Sequence, residues 1–484
     1  MSDPVWLGVD VGTQGVRAVV LDDAGTQLGS GSAALPPGHR TGAQHEQDPH
    51  AWWPALAAAT RAALTELPGR TIGALALDAT SGTVLIQDPD GKPAGPALMY
   101  DDARAAEHTE RCRGAAADLA AALGFRIQPS WALPKLCWLQ GRLGPGQTIA
   151  HQSDHLAGRL IGTPVACDTS SALKSAADPR VPGWPADVFA ALHIDLDRLP
   201  QVVLPGTVLG TVCPEAAEET GIPAGTPVRA GMTDGCAAQI AVGALAPGEW
   251  SSALGTTLIL KGATAELLHD PAGAVYSHRN PDGGWLPGGA SSTGAGVLRT
   301  VFPGADLDQL TAAADLTTPA PGVTYPLAGT GERFPFVAPE ATGFALTAPT
   351  DPAGRFSAIL QGISLIERLA FDTLRGLGAE LGAPIALSGG VTGNHAWNQL
   401  RADILNHPVE LAASAEAATG MAVLAAAPPG ELAATARRMI RRVRRFDPDP
   451  VRGARFAEPY ARLCAALVDR GWLTAAPTPV WSAP

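Results

Sequence analysis

The sequence predicts an α/β fold of two domains, and three observations carry that expectation. The chain is 484 residues long, more than one ordinary hydrophobic core supports. An order of apolar strand, Gly/Thr turn and returning strand occurs near the N-terminus and again after Ala246-Pro247-Gly248. Beyond the second copy, the buried run Ile385 to Leu387 ends in Ser388-Gly389-Gly390 and leads toward a helix.

The first copy reads directly. Val5 to Val11 is apolar and rich in β-branched residues, Gly12 to Gly15 form a tight turn, and Val16 to Leu21 return. Gln27 to Leu35 supply a third strand, and Ala51 to Leu67 carry apolar residues at helical spacing. Ile72 to Leu77 and Thr83 to Gln87 read as strands around a turn, Asp78 to Gly82. In the second copy Glu249 to Leu254 and Leu258 to Lys261 flank Gly255-Thr256-Thr257. A duplicated unit with ligand between the copies follows, divided as residues 1–240, 241–430 and a helical tail over 431–484. The end, Ala475 to Pro484, is expected to fray.

Composition narrows the function. The chain is 46% hydrophobic and 17% charged, as a globular protein should be. Its formal net charge of -12 opposes nucleic-acid binding, which needs Lys and Arg to neutralise phosphates. The basic stretch Arg437 to Arg445 reads as a solvated helix face. Six scattered cysteines, without C-x-x-C or a neighbouring His cluster, fit reduced thiols rather than disulfides or a zinc site. No apolar run spans a bilayer and no leader pattern is seen, so a soluble, cytoplasmic protein is expected, with a homodimer left open.

The chemistry sits in short segments. Asp10-Val11-Gly12-Thr13-Gln14-Gly15 offers glycines that let backbone approach a phosphate, donors from Thr13 and Gln14, and a carboxylate that can orient Mg²⁺ through water. Read alone, a plain hairpin fits this loop as well. Gly255, Thr256 and Thr257 repeat the chemistry more weakly, as a clamp on the other side of a triphosphate. Gly389 and Gly390 leave a surface for a flat base, with Asn394 to hydrogen-bond it, and Gly289 in Gly288-Gly289-Ala290 is a second candidate wall. Asp234, in Met232-Thr233-Asp234-Gly235, is the candidate general base, and the same position suits a helix N-terminus. Carboxylate and loops together point to an ATP-dependent kinase acting on a small polyol. Phosphoryl transfer needs a metal, phosphate donors and an aligned hydroxyl more than covalent help. His45-Glu46-Gln47-Asp48-Pro49-His50 fails as a zinc-protease helix because its second His is displaced and Pro49 breaks the helix. No Walker loop or G-x-S-x-G elbow is present.

These segments, with Met99 to Arg104, Pro134-Lys135-Leu136 and Asp154-His155-Leu156, occur in an order that resembles the FGGY carbohydrate kinases along nearly the whole chain. The resemblance implies two actin-like (ribonuclease-H-like) domains with an interdomain active-site cleft, a sugar substrate, ATP and Mg²⁺. It implies Asp234 as base, Asp10 as the magnesium-associated aspartate and Thr13 as the phosphate-loop threonine. Thr80, Ser81, Asp102 and Lys135 fall at the sugar, and Gly12, Gln14, Gly255, Thr256, Thr257, Gly289, Gly389, Gly390 and Asn394 at the nucleotide. Leu77 to Leu85, Ala274 to His278 and Gly331 to Pro335 look most like the D-ribulokinases of cyanobacteria and plants. Xylulokinases typically carry Met-His-Gly where this chain has Thr80-Ser81-Gly82. Two departures from the close relatives are Gln14 in place of serine and Ala79 in place of glycine. D-ribulose is therefore the expected substrate, with D-xylulose or a polyol as alternative and a non-kinase actin-like ATPase or sugar sensor more distant.

Overall fold

A computed structural model describes residues 3–477, so the last part of the expected frayed end, 478–484, lies outside the described residues. The chain forms two compact units: residues 1–245, 278–285 and 414–441 make the first, and residues 246–277, 286–413 and 442–484 the second. The stretch expected as a separate tail from 431 is thus divided, its beginning packing into the first unit and its remainder into the second.

The first unit is built on a six-stranded sheet ordered 208–211, 227–229, 72–79, 5–11, 15–21, 27–34. Val5–Val11 runs antiparallel to Gly15–Leu21 and parallel to Ile72–Ala79, which in turn lies parallel to Pro227–Arg229. These two central strands are covered on both faces, and Val5, Leu7, Val9, Leu75 and Leu77 are all buried. Ile72–Ala79 runs two residues beyond the expected strand end, because Asp78 pairs in register with Asp10 and Ala79 bridges to Thr233. Asp78 is therefore a strand residue and not part of the turn.

The helix Ala417–Ala426 packs across the first strand, and nine of its ten residues are buried. A Cβ on Gly8 would stand 1.9 Å from the Ala418 carbonyl oxygen, and one on Gly420 would stand 2.0 Å from that of Ala237. Glycine at both contacts lets backbone touch backbone.

The second unit repeats the arrangement. Trp250–Leu254 runs antiparallel to Leu258–Gly262 and parallel to Ile385–Ser388, which lies parallel to Val409–Ala412. Leu258–Gly262 is continued by Trp285–Ala290. The 25-residue helix Pro352–Gly376 starts on an Asp351 cap with proline in its first turn and buries Phe356, Ile363 and Phe371 beneath this sheet. Two hairpins, each joined by a parallel strand beside its first member, are the duplication that the sequence pattern implied.

The basic stretch is not one helix face. Arg437 and Arg438 end the helix Leu432–Met439, while Arg442, Arg444 and Arg445 lie on the strand Arg442–Phe446, paired only with Val409–Ala412 among the described strands. Arg442 reaches Glu410 at 2.6 Å and Arg445 reaches Asp447 at 2.7 Å. Charges on an edge strand discourage pairing with another chain.

Candidate active site

In the first unit the ends of adjacent strands bring three carboxylates together. Asp10 and Asp78 are register partners on parallel strands, so their side chains leave the same face of the sheet. Ala79 bridges to Thr233, the residue before Asp234, which opens the helix Asp234–Ala241. In open α/β sheets ligands bind outside the carboxyl ends of the parallel strands, and these residues stand there. Asp234 is exposed, and its Oδ1 accepts the Gly235 amide at 2.8 Å. Gly231 makes this approach possible, since a Cβ there would lie 1.8 Å from the Leu77 carbonyl oxygen.

Asp10 is nearly buried and accepts from the Arg17 guanidinium at 3.1 Å. Asp78 is wholly buried, and no donor among the described residues reaches either of its oxygens. Burial first, and then the charges of Asp10 and Asp234, push its carboxyl well above the usual carboxylate range. The sequence reading missed Asp78 as a site residue. Its place one strand over from Asp10, two residues before Thr80, was the available signal.

Gly12 to Gly15 form a closed turn between the first two strands. The Gly12 amide donates to the Gly15 carbonyl at 3.1 Å, and the Thr13 carbonyl accepts from Gln47 Nε2 at 3.0 Å, leaving Gln14 exposed. Gly15 is demanded by packing, since a Cβ would meet the Ala33 carbonyl oxygen at 2.7 Å.

Four residues expected at the sugar divide sharply. Ser81 Oγ is buried with no hydrogen-bond partner among the described residues. Thr80 Oγ1 is taken by Thr83 at 2.6 Å and Gln152 at 2.8 Å. Asp102 has no exposed surface: its oxygens accept from Arg104 and from the His45 amide at 2.7 Å. Here Asp102 orients Arg104 and presents nothing to a sugar. Lys135 is also fully buried and donates to the carbonyls of Gly82 at 2.9 Å and Met99 at 2.5 Å, thereby fixing the loop that carries Ser81.

Burial drives Lys135 down to about 7, against the opposing pull of Asp102. A neutral amine has two N–H groups, and two carbonyls accept them. In the unfolded chain the same lysine keeps its proton to about pH 10.4. Between those values the unfolded state binds more protons, so stability should rise with pH from about 7 upward, by at most ~1.4 kcal/mol per pH unit. Urea midpoints across that range, compared with Lys135→Met, check this. The variant should lose the slope, and equal slopes would refute the neutral amine.

In the second unit Gly255 donates its amide to the Thr257 carbonyl at 3.0 Å, which closes the second Gly/Thr turn. Thr256 is exposed at its tip with Arg299 Nη2 3.2 Å from Oγ1, a cation the sequence reading did not include. Gly389, in the left-handed region at φ 92°, would place a Cβ 2.3 Å from the Leu254 carbonyl oxygen. It holds two strands together, whereas Gly390 and Gly255 have open space where a Cβ would stand. Gly289 does not form a nucleotide wall: it is buried in its strand, and a Cβ would strike the Phe334 ring at 2.6 Å. Asn394 is committed as the cap of the helix His395–Leu405, accepting from Trp397 at 3.0 Å and donating to Thr311 at 2.9 Å.

Comparison with known proteins decides the family. Residues 5–241 match the N-terminal domain of the FGGY family of carbohydrate kinases, and residues 251–428 match its C-terminal domain. The chain belongs to the FGGY family. A xylulose kinase of Streptomyces rubiginosus is 29% identical over 87% of this FGGY kinase and 88% of its own length. The xylulose kinase structure from Rhodospirillum rubrum shares its fold at TM-score 0.85 and 23% identity, covering 96% of this chain and 99% of that one. The gluconate kinase structure from Lactobacillus acidophilus does so at TM-score 0.85 and 20% identity, covering 97% and 98%. This FGGY kinase is accordingly a sugar phosphotransferase with the two-domain α/β fold of that family. Among its described residues no helix is long and apolar enough to cross a membrane.

Proposed function

We propose that this kinase transfers the γ-phosphoryl group of ATP to the 5-hydroxyl of D-ribulose. The observation that carries the choice of sugar is Ser81, a buried hydroxyl without a partner, in a Thr80-Ser81-Gly82 loop that lacks the Met-His pair typical of xylulokinases. Asp234 is the proposed base, exposed at a helix start and able to accept the proton of the attacking hydroxyl. The Gly12–Gly15 turn holds phosphate through backbone amides, and the Gly255–Thr257 turn and the open face at Gly390 serve the nucleotide.

Magnesium fits the residues present. Asp10, Asp78 and Asp234 supply only oxygen donors, and the oxygens of Asp78 lack hydrogen-bond partners that water on a hard cation would provide. Asp10 would hold the ion through water. When bound, Mg²⁺ neutralises phosphate charge as the phosphoryl group moves.

A coupled assay of ADP release over D-ribulose, D-xylulose and a set of polyols tests the reading. The highest kcat/KM is expected for D-ribulose. A higher value for D-xylulose would establish the second reading, which the names of the relatives favour. Ser81→Ala should raise the KM for the sugar by roughly 3–10-fold, the cost of one hydrogen bond, with the KM for ATP unchanged. An unaltered sugar KM would remove Ser81 from the site.

A further inference from the structure

Away from the acidic cluster, the first unit buries a second set of groups with metal-binding chemistry. His151 ends the strand Thr148–His151, Asp154 stands in the first turn of the helix Gln152–Ile161, and Cys167 lies on the strand Cys167–Asp168. Separated by up to 16 positions along the chain, they form no short cysteine and histidine spacing. His151 Nδ1 is 3.0 Å from Asp154 Oδ2 and 3.3 Å from Cys167 Sγ. All three donor atoms lie within 4.8 Å of one another, on residues no more than 6% exposed.

Those separations suit a small tetrahedral ion. Bonds of about 2.0–2.1 Å to nitrogen, 2.0–2.2 Å to oxygen and 2.3 Å to sulfur place neighbouring donors roughly 3.3–3.7 Å apart. The two pairs that His151 makes need to part by only a few tenths of an ångström. The ring is already oriented from behind, since His151 Nε2 is 2.9 Å from Ser175 Oγ, the outer contact that fixes a ligating imidazole.

We propose that His151 Nδ1, the Asp154 carboxylate and the Cys167 thiolate bind one zinc-class divalent ion, with water at the fourth position. The mixed nitrogen, oxygen and sulfur set suits zinc and its close relatives, whereas magnesium requires oxygen alone. On binding, the Cys167 S–H loses its proton to solvent, the His151 ring proton passes from Nδ1 to Nε2, where Ser175 Oγ accepts it, three protein–metal bonds form, and no electron is transferred. Without the ion the same imidazole donates to Asp154, so the metal replaces a hydrogen bond and does not fill a void. Its structural consequence extends toward Asp234. Cys167 adjoins Asp168, which accepts from the Ser170 and Ser171 amides, and Ser170 Oγ accepts the Thr233 amide at 2.9 Å. An ion here staples the segment that seats the proposed base.

The test uses the full-length protein, without a polyhistidine tag, stripped with chelator and titrated with Co²⁺ alone and with Zn²⁺ alone. A thiolate-to-cobalt charge-transfer absorption that saturates at a single ion per chain is expected, with Zn²⁺ displacing the cobalt and raising Tm. Cys167→Ser should abolish the absorption and weaken binding by more than the ~10–100-fold that loss of an outer-shell partner costs. Cys137→Ser, on the helix Ala132–Gln140, should leave both intact. No charge-transfer band in the unmutated protein overturns the site, whatever the variants do. So does a band that survives Cys167→Ser. Neither readout depends on kinase activity, so the outcome stands apart from the choice of sugar.

Discussion

Asp234→Ala is expected to lose about 10²–10⁴-fold in kcat, the contribution of a positioned general base, with the KM values for sugar and ATP changed far less. The reasoning is local. Asp234 stands exposed in the first turn of its helix, beside the strand ends that carry Asp10 and Asp78. Its carboxylate is the accessible member of the three, while Asp10 is engaged by Arg17 and Asp78 is buried. A base must reach the hydroxyl it deprotonates, and exposure permits that. The substitution should leave folding nearly intact, because an acidic group exposed at a helix N-terminus contributes ~0.3–1 kcal/mol. A rate loss with little change in Tm therefore separates chemistry from misfolding. Asp234→Asn, which keeps the shape, should fall almost as far. If either variant releases ADP at the full sugar-dependent rate, Asp234 has no part in proton transfer.

Arg401→Met should destabilise the second unit by ~3–5 kcal/mol, the cost of stranding one partner of a buried ion pair. Arg401 and Glu367 are both fully buried, joined by two bonds at 2.7 and 2.8 Å, and Ser252 Oγ lies within reach of both. Glu367 belongs to the long helix, Arg401 to the helix His395–Leu405 and Ser252 to the first strand of the sheet. One charged cluster thus ties three elements together. Removing the guanidinium leaves a carboxylate in the core with only a hydroxyl for company. Replacing both charges, Arg401→Met with Glu367→Met, should recover most of the loss, since well-packed apolar side chains commonly equal a buried pair. Chemical denaturation followed by a probe in the second unit measures both. A single-variant loss below ~1 kcal/mol would show that the pair has access to water that its burial excludes.

The sequence disclosed the strands and turns because their signals are local. Val5 to Val11, the Gly12–Gly15 turn and the Gly255–Thr257 turn depend on residues that are neighbours in the chain. The helix start at Asp234 was legible for the same reason, as an acid among small residues. What could not be read was the use each polar side chain makes of distant partners. Asp102 and Lys135 look like ligands in a linear string, yet one is consumed by Arg104 and the other by two carbonyls 36 and 53 positions away. Gly289 looks open until the Phe334 ring is placed over it. Asn394 is held as a helix cap. Asp78 failed in the opposite direction: flanking strands on both sides extend its own by pairing, a force absent from local periodicity.

The seating of Ala417–Ala426 across the opening strand bears on how the polypeptide emerges during synthesis. Residues 1–245 leave the ribosome long before 414–441, the last piece of their own unit, has been made. Until that late helix arrives, the notch at Gly8 and the Ala237 carbonyl lack the backbone that packs on them. The first half must wait in an unfinished, apolar-faced form while the second half is translated, so completion of the N-terminal body is timed by the C-terminal portion of the message.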